Sequence, residues 1–142
     1  MHNIVSNKTI FVFKNFLFPI SVVKLIEKHK KIFIAEINGN CSLFDLESKN
    51  KIYSFADMKM DFLFTVSLFE DTIFIGGDTS KVYALNVNTK LLDLVIEDDI
   101  PKHIYSLQSF RPNVNKETIL LCSGNVNHPN KVFLFFFPKM FL

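Results

Sequence analysis

The stretch Ile32–Lys51, IFIAEINGNCSLFDLESKNK, slides forward by 41 positions without a gap onto Ile73–Leu92, IFIGGDTSKVYALNVNTKLL. Ile32-Phe33-Ile34 falls on Ile73-Phe74-Ile75, the polar turn Asn38–Asn40 on Thr79–Lys81, and Phe44-Asp45-Leu46 on Leu85-Asn86-Val87. Identities are few, but apolar, turn and polar positions agree along the whole length. A self-match at such a spacing marks a chain built from copies of one unit, each leaving an apolar face for its neighbour to cover.

The same shift interprets the residues on either side. Ile20–Ile26 alone is ambiguous, since Val22, Val23 and Ile26 also suit one face of a helix. At the repeat distance stands Leu63-Phe64-Thr65-Val66, rich in strand formers, followed by the turn Glu70-Asp71-Thr72. Both runs are therefore expected to be strands, with Glu27–Lys31 as a charged turn. A third copy follows Glu97-Asp98-Asp99, with a first strand at Ile104–Phe110, a polar turn at Arg111–Glu117 and a second strand at Ile119–Cys122. Ile119 lies 46 beyond Ile73 and Val132 lies 50 beyond Val82, the extra residues falling in the turn Asn125–Asn130 around Pro129.

Each copy then holds four short strands, in the first Ile20–Ile26, Ile32–Ile37, Cys41–Leu46 and Ile52–Phe55. Their turns carry the Gly, Asn, Asp and Ser that hairpins need. Four strands in about 40 residues make the blade of a β-propeller. The expected fold is all-β, a partial propeller of about three four-stranded antiparallel blades plus a fragment of another. Residues 1–18 are assigned to the end of an incomplete blade, with Thr9–Phe13 as a strand after the turn Ser6-Asn7-Lys8. Residues 19–59, 60–100 and 101–142 form the three blades, the last with an apolar tail. Closed rings take about 4–8 blades, so the expectation is a fragment whose ring is completed by further sequence or by another chain. Unpaired strand edges would otherwise invite aggregation.

At 142 residues and 49% hydrophobic content the chain is long and apolar enough to bury a core. Its 16 Lys+Arg against 14 Asp+Glu give +2, spread without a basic stripe, which argues against nucleic acid as a partner. Phe is abundant at 17 while Trp is absent, a bias in keeping with an AT-rich genome. Cys41 and Cys122 have no CxxC spacing, so buried free thiols and a reducing intracellular compartment are expected. The apolar runs Phe16–Val23 and Val132–Phe137 fall short of the roughly 20 residues a membrane helix needs.

Ser106-Leu107-Gln108-Ser109-Phe110-Arg111-Pro112-Asn113, followed by Ile119-Leu120-Leu121-Cys122-Ser123-Gly124, resembles the first strand, turn and "L-A-S-G" strand of the WD-repeat family. Phe44-Asp45 takes the place of the family's Trp-Asp, and Asn38 and Asp78 that of an Asp tying strands together. Leu85-Asn86 and Phe135-Phe136 stand there in the other copies, and no Gly-His precedes them. The resemblance covers about residues 20–137 and implies a non-catalytic scaffold that binds other proteins. A rival likeness is to the quinoprotein-like (PQQ-type) dehydrogenase propellers. It is carried by Ile73-Phe74-Ile75-Gly76-Gly77 with Val82-Tyr83-Ala84-Leu85-Asn86 and Thr89-Lys90, though the repeat's Trp and the Gly before Lys90 are missing.

Little chemistry stands out beside this. His2, His29, His103 and His128 lack ligand-spaced partners, so turn histidines are expected and no metal or cofactor. Glu97-Asp98-Asp99 has the residue types of a paired carboxylate site, but neighbours on an extended segment point opposite ways, and a solvated connection is the simpler account. No Ser sits in a GxSxG elbow, Cys41 has no nearby His, and Gly76-Gly77 lacks the Lys-Ser/Thr of a phosphate loop. Lys28–Lys31 beside Phe33 is a candidate RNA contact, weighed against a charged hairpin tip. Phe33, Phe44, Phe55, Phe74 and Phe133 are expected to pack blade against blade. No catalytic, cofactor or metal residue is assigned.

Overall fold

In the computed structural model, residues 11–56, 58, 60–97, 102–112, 117–125 and 132–137 are described. Three antiparallel sheets follow one another along the chain. The first contains β1 (Ile20–Ile26), β2 (Lys31–Glu36), β3 (Cys41–Asp45) and β4 (Lys51–Phe55), hydrogen-bonded in that order. The second contains β5 (Leu63–Phe69), β6 (Thr72–Gly77), β7 (Val82–Asn86) and β8 (Leu92–Ile96), again in order. The third contains β9 (His103–Phe110), β10 (Thr118–Asn125) and β11 (Val132–Phe137). Ile20–Ile26 and Leu63–Phe69 are strands, as the repeat requires, and a single 3-10 turn, Glu27–His29, joins β1 to β2.

The repeat spacing survives into side-chain direction. Phe33, Ala35, Cys41, Leu43 and Phe55 point from the first sheet to the second, where Leu63, Ile73, Ile75, Tyr83 and Leu85 meet them. Their equivalents 41 residues on, Phe74, Val82, Ala84 and Ile96, point from the second sheet to the third and meet Ile104, Leu107, Leu120 and Cys122. Each sheet thus hands one apolar face to its successor, and burial of each large side chain contributes about 1.5–3 kcal/mol. Gly76 belongs to this seam because the place of its Cβ is taken by Ile104 and Leu107. The first strands of the sheets lie side by side. Ser67 and Ser109 join β5 to β9 through buried hydroxyls 2.7 Å apart, and the Ser109 amide donates to Ser67 Oγ at 2.8 Å.

Turn chemistry repeats as well. Asp45 Oδ1 accepts from the Glu47 and Ser48 amides, and Asn86 Oδ1 from those of Asn88 and Thr89. Lys49 and Lys90 close the two turns at φ 62°. Both lysines thereby adopt the left-handed conformation that glycine favours.

Three expectations need correction. Phe11–Phe13 carry no strand, and Thr9 and Ile10 lie outside the described residues. Phe44 does not enter a sheet-to-sheet seam: it sits on the far face of the first sheet, where Phe13 and Phe16 cover it with ring centroids at 4.8 and 6.0 Å. Glu36 holds that cover down, its Oε2 accepting from the Leu17 and Phe18 amides at 3.1 and 2.7 Å. Finally, the residue equivalent to Ile73 is Leu120 rather than Ile119. Leu120 faces the second sheet while Ile119 does not, and a one-residue slip reverses the face of a strand. The spacing of Val132 from Val82 holds, since each opens the third strand of its sheet, opposite Ser123 and Gly76 respectively.

Candidate interaction surface

Two β-bulges re-aim the start of the inner strands. In β5 the pairing jumps from Leu63 to Thr65 across Phe64, and in β9 from Ser106 to Ile104 across Tyr105. A bulged residue leaves the alternation of its strand and is presented outward. Phe64 and Tyr105 are 41 apart and both are exposed. In the first sheet the bulge falls at Ser21, whose hydroxyl donates to the Ala35 carbonyl, so no ring is presented there.

Around these two rings lie Phe62 and His103. Phe64 and Tyr105 have centroids 5.2 Å apart, Phe62 stacks on Phe64 at 6.3 Å, and His103 lies nearly parallel to Tyr105 at 6.2 Å. Phe62 is held by its backbone: its carbonyl accepts from the Asp78 amide at 2.9 Å, and Asp78 Oδ1 accepts from the Asp61 amide at 3.1 Å. Asp78 thus ties the 61–62 segment to the end of β6, whereas Asn38 accepts from the Asn40 amide within its own turn. Gly77 is required here, because a Cβ would run into the Phe62 carbonyl oxygen. His103 Nδ1 is buried and has no hydrogen-bond partner among the described residues. Four adjoining rings, three of them exposed, with an unsatisfied imidazole nitrogen behind them, form a surface suited to an apolar or cationic side chain. The bulges are not visible in the apolar run Leu63-Phe64-Thr65-Val66, but the aromatic pair at the repeat spacing is a signal present in the sequence.

The opposite ends of the inner strands carry polar clasps. Asp71 Oδ1 meets Lys28 Nζ at 2.8 Å and His29 Nε2 at 2.6 Å, and Asn88 Nδ2 donates to Asp71 Oδ2 at 2.9 Å. On the next seam Arg111 Nη1 reaches Glu70 Oε1 at 2.7 Å and Nη2 donates to Thr118 Oγ1 at 3.1 Å. His29 is therefore a half-buried seam residue and not a free turn histidine. Hydrogen bonds from Lys28 and then His29 hold the Asp71 carboxyl down at about 2. A carboxyl lowered in the fold stabilises it above the group's ordinary value, and the contribution fades as the pH falls toward about 2. Asp71→Asn is expected to lower the melting temperature at pH 7, with the gap to wild type closing on acidification from pH ~4 to ~2. A gap that stays constant across that window, followed by circular dichroism, would refute the clasp.

The other residues singled out in the sequence do not converge. Lys28 pairs with Asp71 and Lys30 with Glu47, so two of the three lysines in the run meet carboxylates, while Lys31 opens β2. Glu97 pairs with Lys81 at 2.8 Å, while Asp98, Asp99, His2 and His128 lie outside the described residues. Cys41 and Cys122 are free and buried. Burial pushes both thiols up, Cys122 to about 11, and Glu36 adds to the effect at Cys41, so neither is a ready nucleophile. Among the described residues no helix is long and apolar enough to cross a membrane.

This arrangement of sheets matches Sqt1 from Saccharomyces cerevisiae with a TM-score of 0.69 at 16% identity, over 84% of this chain and 31% of that one. It also matches the beta-propeller domain of Cps50 (Swd1) from Myceliophteria thermophila with a TM-score of 0.58 at 11% identity, over 86% and 40%. The fold is a partial β-propeller. The three sheets are its blades, with β1, β5 and β9 as their innermost strands. No protein-family model and no curated protein matches the sequence. The chain spans 31% and 40% of the two propeller structures it matches. The aromatic surface lies at one end of the inner strands of blades 2 and 3, and the charged clasps lie at the other.

Proposed function

We propose that the chain is a non-catalytic, protein-binding segment of a propeller, acting inside the cell, with Phe62, Phe64, His103 and Tyr105 as its contact surface. The observation that carries this reading is the pair of bulges that turn Phe64 and Tyr105 outward on neighbouring blades. Turning an aromatic ring to solvent forgoes its burial, and exposed aromatic clusters are where protein interfaces place their strongest contacts. Two buried free cysteines accord with a reducing compartment.

Affinity capture from a native extract with wild type and with Phe64→Ala/Tyr105→Ala tests the proposal. A reproducible protein should bind wild type and be weakened about 30-fold or more by the double substitution, the loss expected of an interface hot spot. Circular dichroism of the variant should stay unchanged, since both rings stand outside the seams. Equal capture by both forms would rule this surface out, and failure of wild type to retain any protein would rule out the binding role.

A further inference from the structure

Blade 3 repeats, on the face it turns away from blade 2, the positions with which blade 2 receives blade 3. In blade 2, Val82 stands opposite Gly76 and Ala84 opposite Phe74. In blade 3, Val132 stands opposite Ser123 and Leu134 opposite Leu121. Val82 and Ala84 are 0% and 9% exposed, whereas Val132 and Leu134 are 59% and 53% exposed, with Phe136 at 58% beside them. The seat is built on the same register as the filled ones. The other end of the stack supplies a counterpart. Residues 11–18 lie over the far face of blade 1, pinned by Glu36 and the Phe13–Phe44 contact, and they turn Phe11, Val12, Leu17 and Phe18 outward.

We propose that the outer face of blade 3 docks the 11–18 strip on blade 1 of a second copy of this chain, joining copies head to tail. The contact continues the direction of the two seams within the chain, in which the trailing face of each blade meets the leading side of the next. It is heterologous, using two different patches, and so closes into a ring if the rotation allows. Two copies would bring about six blades, within the range of closed propellers. The inference rests on the fold and not on the aromatic surface, which neither patch includes.

Leu17→Cys and Leu134→Cys proteins, each purified reduced and then mixed under mild oxidation, test this contact. The native Cys41 and Cys122 are buried and do not compete. The expected product is a disulfide dimer joining Cys at position 17 of one variant to Cys at position 134 of the other. Predominant coupling of Leu134→Cys to itself would overturn the head-to-tail geometry, as would failure to couple combined with a monomeric native mass at every concentration. In the unmodified chain, Leu134→Glu should weaken self-association about tenfold or more. Phe64→Ala/Tyr105→Ala should leave it unchanged, so the two proposals fail separately. If Leu134→Glu disturbs folding, the disulfide products alone decide.

Discussion

Phe33→Ala is expected to lower the unfolding free energy by about 3–5 kcal/mol, the usual cost of emptying a ring-sized site in a packed interior. Phe33 is fully buried between blades 1 and 2, with its ring 6.4 Å from that of Phe55. Small domains hold only about 5–15 kcal/mol in total, so this one change removes much of the margin. Urea unfolding would show it as a lower midpoint with an unchanged slope. Leu91→Ala is the control, since that side chain is exposed and its loss should move stability by no more than about 0.5 kcal/mol. Equal midpoints for the two variants would mean that the seam does not hold the blades together.

Gly77→Ala is the second large effect. The added methyl meets backbone rather than the yielding tip of a side chain, because the Phe62 carbonyl occupies its place. Overfilling of this kind costs about 1–3 kcal/mol. It should also carry Phe62 away from Phe64, since the Asp78 amide bonds the same carbonyl. A double readout follows: a lower unfolding midpoint, and loss of partner binding beyond that caused by Phe62→Ala alone. Wild-type behaviour in both measurements would show that the two backbones do not approach each other as closely as Gly77 and Phe62 do here.

The unit, its length and its strands were legible because the apolar pattern of Ile32–Lys51 returns 41 residues later with polar turns in the same places. Direction was harder. Phe44 satisfies every criterion for a seam residue, yet its alternation places it on the outer side of blade 1, and only the cover formed by Phe13 and Phe16 shows what it meets. The slip at Ile119 has a similar origin: Ile119-Leu120-Leu121 is apolar throughout, so hydrophobicity does not mark which residue faces inward. The candidate surface stayed hidden for a third reason. A bulge is a property of pairing between strands, and the run containing Phe64 reads the same with or without one. His29 looked like a free turn residue because its partner, Asp71, lies on another blade.

The clasps at the blade ends have a consequence for assembly. Positions 29, 70 and 111 are equivalent in the repeat and hold His, Glu and Arg. Lys28 and His29 meet the acidic Asp71, and Glu70 meets the basic Arg111. If blade 3 were to settle on blade 1 in place of blade 2, the place of Asp71 would be taken by Pro112, and Lys28 and His29 would lose their acceptor. Near-identical modules risk stacking out of turn, and a missing acceptor at the wrong junction penalises that error. Three short turns thus give an otherwise interchangeable set of greasy sheets a serial order.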